Sequence, residues 1–295
     1  MISLERLFVF QQWFIAFRKK QPFSLPLAMN DFQIIRPSAG RFFADPFVIE
    51  NDGKHFIFFE DFHLRNRKGV ISCIEIDKHG KYSTPLVVLE KEHHLAYPFL
   101  FKTDQGIFMI PDTSVNNTVE LYEAVNFPDQ WILKRVLMSG FKTADSTLFF
   151  YNNKWWLFTN MLDAKNPAYA GELHVFFAES LYSEWTPHPQ NPVNRDSRTA
   201  RPAGNLFFYD GKLIRPAQNC SGKYGLSVVF NEITSLTETH YEEKPISEIR
   251  PDWCEKNQKL HTYNYNDQWE VIDGLINITD ILKPLRWLSA YWYRR

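Results

Sequence analysis

Several signatures that assign a protein to a function class are missing from this sequence. Cysteine is scarce: Cys73, Cys220 and Cys254 lie far apart, and an odd count without a CxxC pair argues against a disulfide framework and a zinc site. Neither sign of charge is in excess, since 33 Lys and Arg oppose 34 Asp and Glu, so we predict no nucleic-acid partner. HExxH, P-loop, GxGxxG and GxSxG motifs are absent, which leaves peptidase, nucleotide-dependent and α/β-hydrolase functions without support.

Long apolar runs are also missing at the start of the chain. Residues 1–20 carry the acidic Glu5 and lack a small-residue cleavage site, so no signal peptide is predicted and a cytoplasmic location is expected. The stretch is too short and too polar to span a bilayer. Its apolar residues fall roughly on one face of a helix, which predicts an amphipathic N-terminal segment over residues 1–30. The residues on this face are Leu4, Leu7, Phe8, Phe14 and Ile15.

The C-terminal segment, residues 278–295, has a similar character. Trp287 and Trp292 lie near Lys283, Arg286 and two final arginines. Basic residues beside aromatic ones suit a membrane interface, which predicts contact between the termini and the inner face of a membrane. The alternative is that both ends pack on the domain or on a second copy of it, and the sequence leaves the oligomeric state open.

Aromatic residues, by contrast, are abundant. Phe, Tyr and Trp make up 16% of the chain, and hydrophobic residues make up 44%, which is enough for a proper core and excludes disorder. Aromatic residues favour β-strands, and most of these rings are expected to pack in a β core. The same rings also provide flat faces on which sugars stack.

The middle of the chain is a repeat. Each copy has a polar residue, an apolar run, a turn rich in Gly, Asn or Asp, and a second apolar run, as in Ala44–Ile49, Asn51–Gly53 and Phe56–Glu60. The polar residues stand at positions 45, 97, 145, 201 and 261, in steps of 52, 48, 56 and 60 residues. Units of this size match four-stranded blades, so we predict an all-β fold, a five-bladed β-propeller over residues 31–277 with short terminal helices. Phe32–Arg36 is expected to add a strand to the fifth blade and close the ring.

Equivalent positions of a propeller repeat form rings around the central axis. Two such rings are polar in all five copies, although buried charges cost on the order of several kcal/mol unless they are paired or solvated. This predicts a functional polar pocket on the axis, and the alternative is a water-filled channel whose groups satisfy one another or hold an ion. The first ring is Asp45, Tyr97, Asp145, Arg201 and His261, and the second is Glu60, Asp112, Asn160, Gln218 and Asp273.

Carboxylates together with Arg, Tyr, His, Asn and Gln are the groups that bind sugar hydroxyls, and paired carboxylates supply the acid and base of glycosyl chemistry. We predict Asp45 as the base, Glu60 and Asp145 as candidate acids, and the other ring members as ligands of a glycan or nucleotide-sugar substrate. No metal site is assigned, but Asp45, Asp145 and His261 could hold a divalent cation. His188, between two prolines, is expected at the pocket rim or else in an exposed or structural position.

The stretch Phe43-Ala44-Asp45-Pro46-Phe47 resembles the first-blade motif of the five-bladed glycoside hydrolases of the family 43 kind. The resemblance implies that Asp45 is the general base and that Asp145, in Thr143-Ala144-Asp145, matches the aspartate that tunes the acid. The acid of that family is a glutamate on the fourth blade, where this chain has Arg201 and the following Pro-Ala-Gly. Glu60 is the nearest substitute.

A closer resemblance, over roughly residues 30 to 275, is to the propeller domain at the N-terminus of plant glucosamine inositolphosphorylceramide transferases. It implies a role around complex glycans or glycolipids. The sequence therefore favours glycosyl transfer in the assembly of a cell-surface polysaccharide or glycolipid, with a glycoside hydrolase and a non-catalytic glycan-binding propeller as alternatives. The matching stretches are 44–47, 59–60, 143–147, 185–193, 200–204 and 215–220.

Overall fold

The computed structural model describes residues 8–25, 27–162 and 171–283. These residues form twenty-one β-strands and two single-turn 3₁₀ helices, Ser114–Asn116 and Pro251–Trp253. In chain order the strands are β1 (Val9–Lys19), β2 (Gln33–Ile35), β3 (Arg41–Asn51), β4 (Lys54–His63), β5 (Lys68–Ile76), β6 (Leu86–Leu89), β7 (Ala96–Thr103), β8 (Gly106–Thr113), β9 (Thr118–Asn126), β10 (Gln130–Ser139), β11 (Thr143–Tyr151), β12 (Lys154–Met161), β13 (Glu172–Ala178), β14 (Thr186–Pro187), β15 (Arg201–Pro202), β16 (Phe207–Tyr209), β17 (Lys212–Asn219), β18 (Ser227–Leu236), β19 (Tyr241–Ile249), β20 (Tyr263–Tyr265) and β21 (Trp269–Thr279).

The strands of the described residues form five antiparallel sheets, and each sheet is one blade of a propeller. Blade 1 has the order β3-β4-β5-β6, blade 2 the order β7-β8-β9-β10 and blade 3 the order β11-β12-β13-β14. Blade 4 has the order β15-β17-β18-β19, with β16 also paired to β17, and blade 5 has the order β20-β21-β1-β2. The predicted five-bladed β-propeller is thus confirmed.

Tight turns connect the first two strands in several blades. The turn pairs Asp52-Gly53, Asn152-Asn153 and Asp210-Gly211 all have positive φ at both residues. Two consecutive left-handed residues are the geometry whose twist matches a two-residue hairpin, and Asn, Asp and Gly adopt it at least cost. The repeated turn residues of the sequence therefore determine where each hairpin reverses.

The fifth blade closes the ring by joining the two ends of the chain. Strand β1 pairs with β21 along its whole length, from Val9 opposite Thr279 to Lys19 opposite Trp269, and β2 pairs with the other edge of β1. The expected N-terminal amphipathic helix is therefore wrong for Val9–Lys19, and this strand belongs to the propeller rather than to a separate segment. Residues 1–7 and 284–295, which complete the two predicted terminal segments, lie outside the described residues.

The physical reason lies in the apolar run Trp13–Phe17. All five of its side chains are buried, whereas an amphipathic helix leaves about half of such a run exposed. A strand in the interior of a blade is covered on both faces, so its sequence is a continuous apolar run rather than an alternating one. No helix among the described residues is long and apolar enough to cross a membrane.

Candidate active site

The first strands of blades 1, 2 and 3 are bulged at the same point. Regular pairing with the next strand breaks immediately after an alanine in each of them, and a bulge redirects the side chain that follows. That side chain belongs to the first polar ring of the repeat, which shows that the three copies are structurally equivalent. The residue after the alanine has a positive φ in each case, 52° at Asp45, 41° at Tyr97 and 55° at Asp145.

A pocket of about 410 Å³ lies at the bulged ends of these strands, and every blade contributes to its wall. Its ionisable groups are carboxylates from blades 1 to 3, a guanidinium from blade 4, one ammonium group and two imidazoles. Four aromatic rings complete the wall. The members that the argument uses are Asp45, Glu60, His94, Asp112, Lys142, Asp145, Arg201 and His261, with Trp13, Phe42, Phe62 and Tyr224. We call it the axial pocket.

Asp45 is the centre of a hydrogen-bond network at the bottom of the axial pocket. Its Oδ1 accepts a hydrogen bond from the Thr262 hydroxyl at 2.9 Å and lies 3.5 Å from Nε2 of His261. Its Oδ2 accepts the backbone N–H of Tyr97 at 3.3 Å, and its own N–H donates to Asp273 at 3.2 Å. The Asp45 carboxylate is therefore held in one orientation by residues of blades 2 and 5.

His261 lies between two carboxylates. Its Nδ1 forms an ion pair with Asp273, whose Oδ1 also accepts the backbone N–H groups of His261 at 2.8 Å and Thr262 at 3.1 Å. Burial by itself lowers the pKa of His261, but the Asp273 and Asp45 carboxylates outweigh it and raise that pKa above the ordinary value of 6.5. Burial raises the pKa of Asp45 to about 6, against the opposing effect of His261. Asp45 thus changes protonation close to neutral pH, as an acid–base catalyst requires.

Asp145 is neutralised by blade 4. Arg201 Nε donates to Asp145 Oδ2 at 2.5 Å, and Gln218 Nε2 donates to the same oxygen at 2.7 Å. Burial raises the pKa of Asp145, and the Arg201 guanidinium opposes that increase. Charged hydrogen bonds of this kind stabilise the ionised carboxylate, so Asp145 is a poor proton donor compared with Glu60.

Glu60 and Asp112 form the acidic side of the pocket wall. Glu60 is buried, and burial, with Asp45 and Asp112 adding to it, raises the pKa of Glu60 well above the usual 4.5. Asp112 is less buried and accepts the backbone N–H of Ser114 at 2.8 Å. His94 approaches Glu60, with Nε2 3.5 Å from Glu60 Oε1.

Four of the predicted substrate-binding residues lie behind the pocket wall: Tyr97, Asn160, Gln218 and Asp273. None has exposed surface, and none lines the axial pocket. The Tyr97 hydroxyl shares a hydrogen bond with Thr147 at 2.9 Å, while Gln218 and Asp273 hold Asp145 and His261 as described. The predicted direct contact with a ligand does not fit these positions, because spacing along a repeat gives the ring but not the depth of each side chain.

His188 is remote from the axial pocket. It is 2% exposed; its Nε2 lies 3.0 Å from the Thr237 carbonyl, and its Nδ1 accepts the backbone N–H of Gln190 at 3.2 Å. The prediction of a rim position is therefore wrong, and His188 has the structural position that was the alternative.

Sequence reasoning missed the aromatic wall. The Trp13 ring stacks on His261 with centroids 4.0 Å apart and an interplanar angle of 18°, and Tyr224 meets His261 edge-on at 5.1 Å. Phe42 and Phe62 stack on each other at 4.5 Å and 4°. Trp13 lies on β1, which the sequence assigned to a terminal helix. The only signal that could have identified it is the unusually apolar run in which it stands.

The arrangement gives a divalent cation little room. Ligand atoms of Asp45, His261 and Asp273 lie within 4.8 Å of one another, a set that differs from the predicted one by Asp273 in place of Asp145. The His261 nitrogens face the two carboxylates, so an imidazolium would compete with a cation for the same oxygens. A cation in the axial pocket stays a prediction.

A larger cavity of about 650 Å³ lies between blades 2 and 3, outside the axis. Its wall is mainly apolar, from β10 and the region around β13, with residues such as Leu137, Phe141, Phe176 and Trp185. Its ionisable wall residues are Arg135, His174 and Glu184, with a single carboxylate among them. The axial pocket instead brings four carboxylates together, so we place the candidate active site there.

Comparison with known families agrees with the fold and with the position of the repeat. Residues 22–268 match the family described as glucosamine inositolphosphorylceramide transferase 1, N-terminal. The chain belongs to this family. Its similarity to the rice (Oryza sativa subsp. japonica) member is 34% identity over 209 residues, covering 70% of this chain and 28% of the rice protein. Its similarity to the Arabidopsis thaliana member is 31% identity over 205 residues, covering 68% of this chain and 27% of the Arabidopsis protein. The chain thus spans little more than a quarter of the length of these relatives.

Solved structures of similar fold include several glycoside hydrolases. A family 117 enzyme from Zobellia galactanivorans has a TM-score of 0.55 at 11% identity, with 90% of each chain covered. The catalytic domain of the Coprinopsis cinerea family 62 α-L-arabinofuranosidase has a TM-score of 0.52 at 14% identity, with 79% of this chain and 90% of that domain covered. A family 43 β-1,3-galactosidase with galactodeoxynojirimycin has a TM-score of 0.51 at 12% identity, with 72% of this chain and 77% of that chain covered. At this identity the likeness to glycoside hydrolases establishes the fold alone. The resemblance to the transferase family is confirmed by the sequence match, and the likeness to family 43 is confirmed only for the propeller fold.

Proposed function

We propose that this chain binds a saccharide in the axial pocket and catalyses glycosyl transfer in the assembly of a complex glycan or glycolipid, with Asp45 as the base. The observation that carries the proposal is a buried carboxylate on the axis, fixed by Thr262 and His261, inside a pocket walled by aromatic rings. The relatives named as glucosamine inositolphosphorylceramide transferases support a glycolipid-related substrate.

The composition of the wall suits a sugar. Trp13, Tyr224, Phe42 and Phe62 all contribute aromatic surface to it. Apolar sugar faces stack on such rings, while hydroxyl groups bond to carboxylates and guanidinium groups that converge between them. A volume of about 410 Å³ accommodates a ligand of roughly one or two sugar rings, since ligand sites span about 300–1,000 Å³.

Asp45 is suited to remove a proton from an acceptor hydroxyl. Its pKa of about 6 leaves it ionised but basic at neutral pH, and the His261 imidazolium beside it stabilises the ionised form. As the acceptor oxygen attacks the anomeric carbon, its proton passes to Asp45. The rate should therefore rise with pH through about 6, since only the ionised carboxylate accepts a proton.

Asp45→Asn tests the proposal without disturbing the backbone. Asp45 has φ 52°, and asparagine tolerates this left-handed conformation as aspartate does. A base contributes at least about 10²-fold to the rate, so turnover should fall by that factor while saccharide binding persists. The matched control is Asp210→Asn, an exposed aspartate with φ 49° in a hairpin turn, which should leave turnover unchanged.

The measurement is calorimetric titration and turnover with a panel of oligosaccharides, glycosides and nucleotide sugars. Normal turnover by Asp45→Asn would refute the base assignment. Binding of glycans with no turnover of any panel member would favour the non-catalytic binding propeller over an enzyme.

We also propose that the C-terminal segment contacts an anionic membrane, which would place the protein at the inner face of the membrane. Ile281 and Leu282 are exposed where this segment begins, and Lys283, Arg286, Arg294 and Arg295 add positive charge. Binding to vesicles of phosphatidylserine and phosphatidylcholine should exceed binding to phosphatidylcholine alone and weaken with salt. Replacement of the four cations by Gln should remove the difference, and equal sedimentation with both vesicles would contradict the proposal.

A further inference from the structure

A histidine and a glutamate meet at the wall of the axial pocket between blades 1 and 2. Glu60 is on β4, and His94 is in the connection between β6 and β7. Nε2 of His94 lies 3.5 Å from Oε1 of Glu60, and both side chains line the pocket. Among the described residues, blade 4 contributes Arg201 and Tyr224 to the pocket wall, so the carboxyl groups that line the pocket come from blades 1 to 3.

The tautomer of His94 is fixed by the backbone. The N–H of Gly69 donates to Nδ1 of His94 at 2.8 Å, so in the neutral ring the proton is on Nε2, which faces Glu60. Burial lowers the pKa of His94 below the ordinary 6.5 and thus favours this neutral ring. His94 therefore presents one N–H donor to the Glu60 carboxyl at neutral pH.

Gly69 makes room for this contact. A Cβ atom at Gly69 would lie 2.4 Å from the Leu95 carbonyl oxygen, 2.8 Å from His94 Cε1 and 2.9 Å from Glu60 Oε1. Real Cβ atoms do not approach other atoms this closely, so any other residue would separate the pair. The backbone of β5 thus holds the histidine and the glutamate together.

The surroundings favour a protonated Glu60. Asp45, Asp112, Asp145 and Asp61 all act on it in the same direction as burial and raise its pKa well above the ordinary value. The charged groups that act on His94 are Asp112, which raises its pKa, and His93, which lowers it. Burial and the neighbouring carboxylates thus act together to keep Glu60 protonated.

We propose that His94 is a positioning residue that orients Glu60 as the proton donor for the leaving group, an inference that rests on the glycosyl transfer proposed above. The anomeric C–O bond breaks, and the departing oxygen takes the Glu60 proton. The acceptor hydroxyl forms the new C–O bond and gives its proton to Asp45, so that Glu60 ends ionised and Asp45 protonated. A leaving group that needs this proton is a sugar or lipid alkoxide, so the donor substrate is an O-glycoside rather than a sugar phosphate.

Nuclear magnetic resonance tests the arrangement without a substrate. Ring ¹⁵N shifts should show His94 as the Nε2–H tautomer at neutral pH, and the ¹³C carboxyl signal that disappears in Glu60→Gln should titrate well above the range of exposed glutamates. His94→Phe keeps the ring but removes the donor, so the Glu60 titration should shift to higher pH. His94→Gln can accept from Gly69 and donate to Glu60, so it should restore the wild-type titration. An Nδ1–H tautomer, or a Glu60 titration that ignores His94→Phe, would overturn the positioning role.

Kinetics tests the donor role with methyl and 2,4-dinitrophenyl glycosides of the same sugar. Dinitrophenolate leaves without protonation, so Glu60→Gln and His94→Phe should lose at least about 10²-fold on the methyl glycoside and little on the dinitrophenyl glycoside. His94→Gln should recover most of the loss, and Asp210→Asn serves as the control. Wild-type protein that turns over neither glycoside would refute the proposed function and with it the donor role. Wild-type turnover that Glu60→Gln retains on the methyl glycoside would overturn the donor role alone.

Discussion

At the scale of single residues, the site depends on backbone conformations that few side chains accept. Asp45 and Asp145 hold left-handed conformations at equivalent bulges, where aspartate is among the better tolerated residues. The repeat made their alignment predictable, because the same polar position recurs in every copy. Whether each side chain lines the pocket or lies behind its wall was not predictable. That position depends on the twist and bulge of the strand and on side chains of the neighbouring blades that pack against it.

The pH dependence of stability should report on His261. Its folded-state pKa is raised above 6.5 by Asp273 and Asp45, against the effect of burial. The folded protein therefore holds this proton more tightly than the unfolded chain, so the contribution is complete below about pH 6.5 and is lost as pH rises through the folded-state value. We expect the urea-unfolding free energy of the wild type to fall in this range.

The matched variant is His261→Gln, which cannot titrate. Its unfolding free energy should be lower at pH 6 and should depend less on pH above that point. Parallel curves for the two proteins between pH 6 and 9 would contradict the assignment.

At the scale of elements, strand β1 shows how long-range pairing overrides a local pattern. Its residues gave a plausible helical face, but its partner β21 lies some 250 residues later, as in the pair Ile15 and Asp273. A helix would leave the β21 backbone groups without partners, and buried N–H and C=O groups are nearly always paired. The strands of the repeat were predictable because their partners follow directly in sequence, as the hairpin of β3 and β4 around Asp52-Gly53 shows.

Substitution of Phe17 tests how much β1 contributes to the stability of the fold. Phe17 is fully buried and meets Trp269 at a centroid distance of 5.5 Å. Phe17→Ala should lower the unfolding free energy by about 3–5 kcal/mol, the usual cost of removing a buried phenylalanine ring. Gln11→Ala, at an exposed position of the same strand, should change it by less than about 0.5 kcal/mol. Equal denaturant midpoints for both variants would show that β1 is dispensable.

At the scale of the whole molecule, the strands that close the ring also complete the site. Strand β1 brings Trp13 against His261, and blade 5 brings His261 and Thr262 against Asp45 of blade 1. Residues from the two ends of the chain thus complete a pocket whose other walls come from the middle. The sequence alone does not reveal this arrangement, because blade 5 contacts blade 1 only when all five blades are arranged in a closed ring.

The ion pair between blades 3 and 4 provides the test at this scale. Arg201 and Asp145 are both nearly buried, with side-chain exposures of 11% and 4%, so removal of the cation alone leaves a carboxylate without its charged partner in the interior. Arg201→Gln should therefore destabilise the protein by about 3–5 kcal/mol. Asp145→Asn keeps the left-handed backbone and removes the charge, so the double variant should recover much of that loss. A double-mutant cycle of urea-unfolding free energies measures the coupling. If the two losses simply add, Arg201 and Asp145 do not stabilise each other, and the ion pair does not hold blades 3 and 4 together.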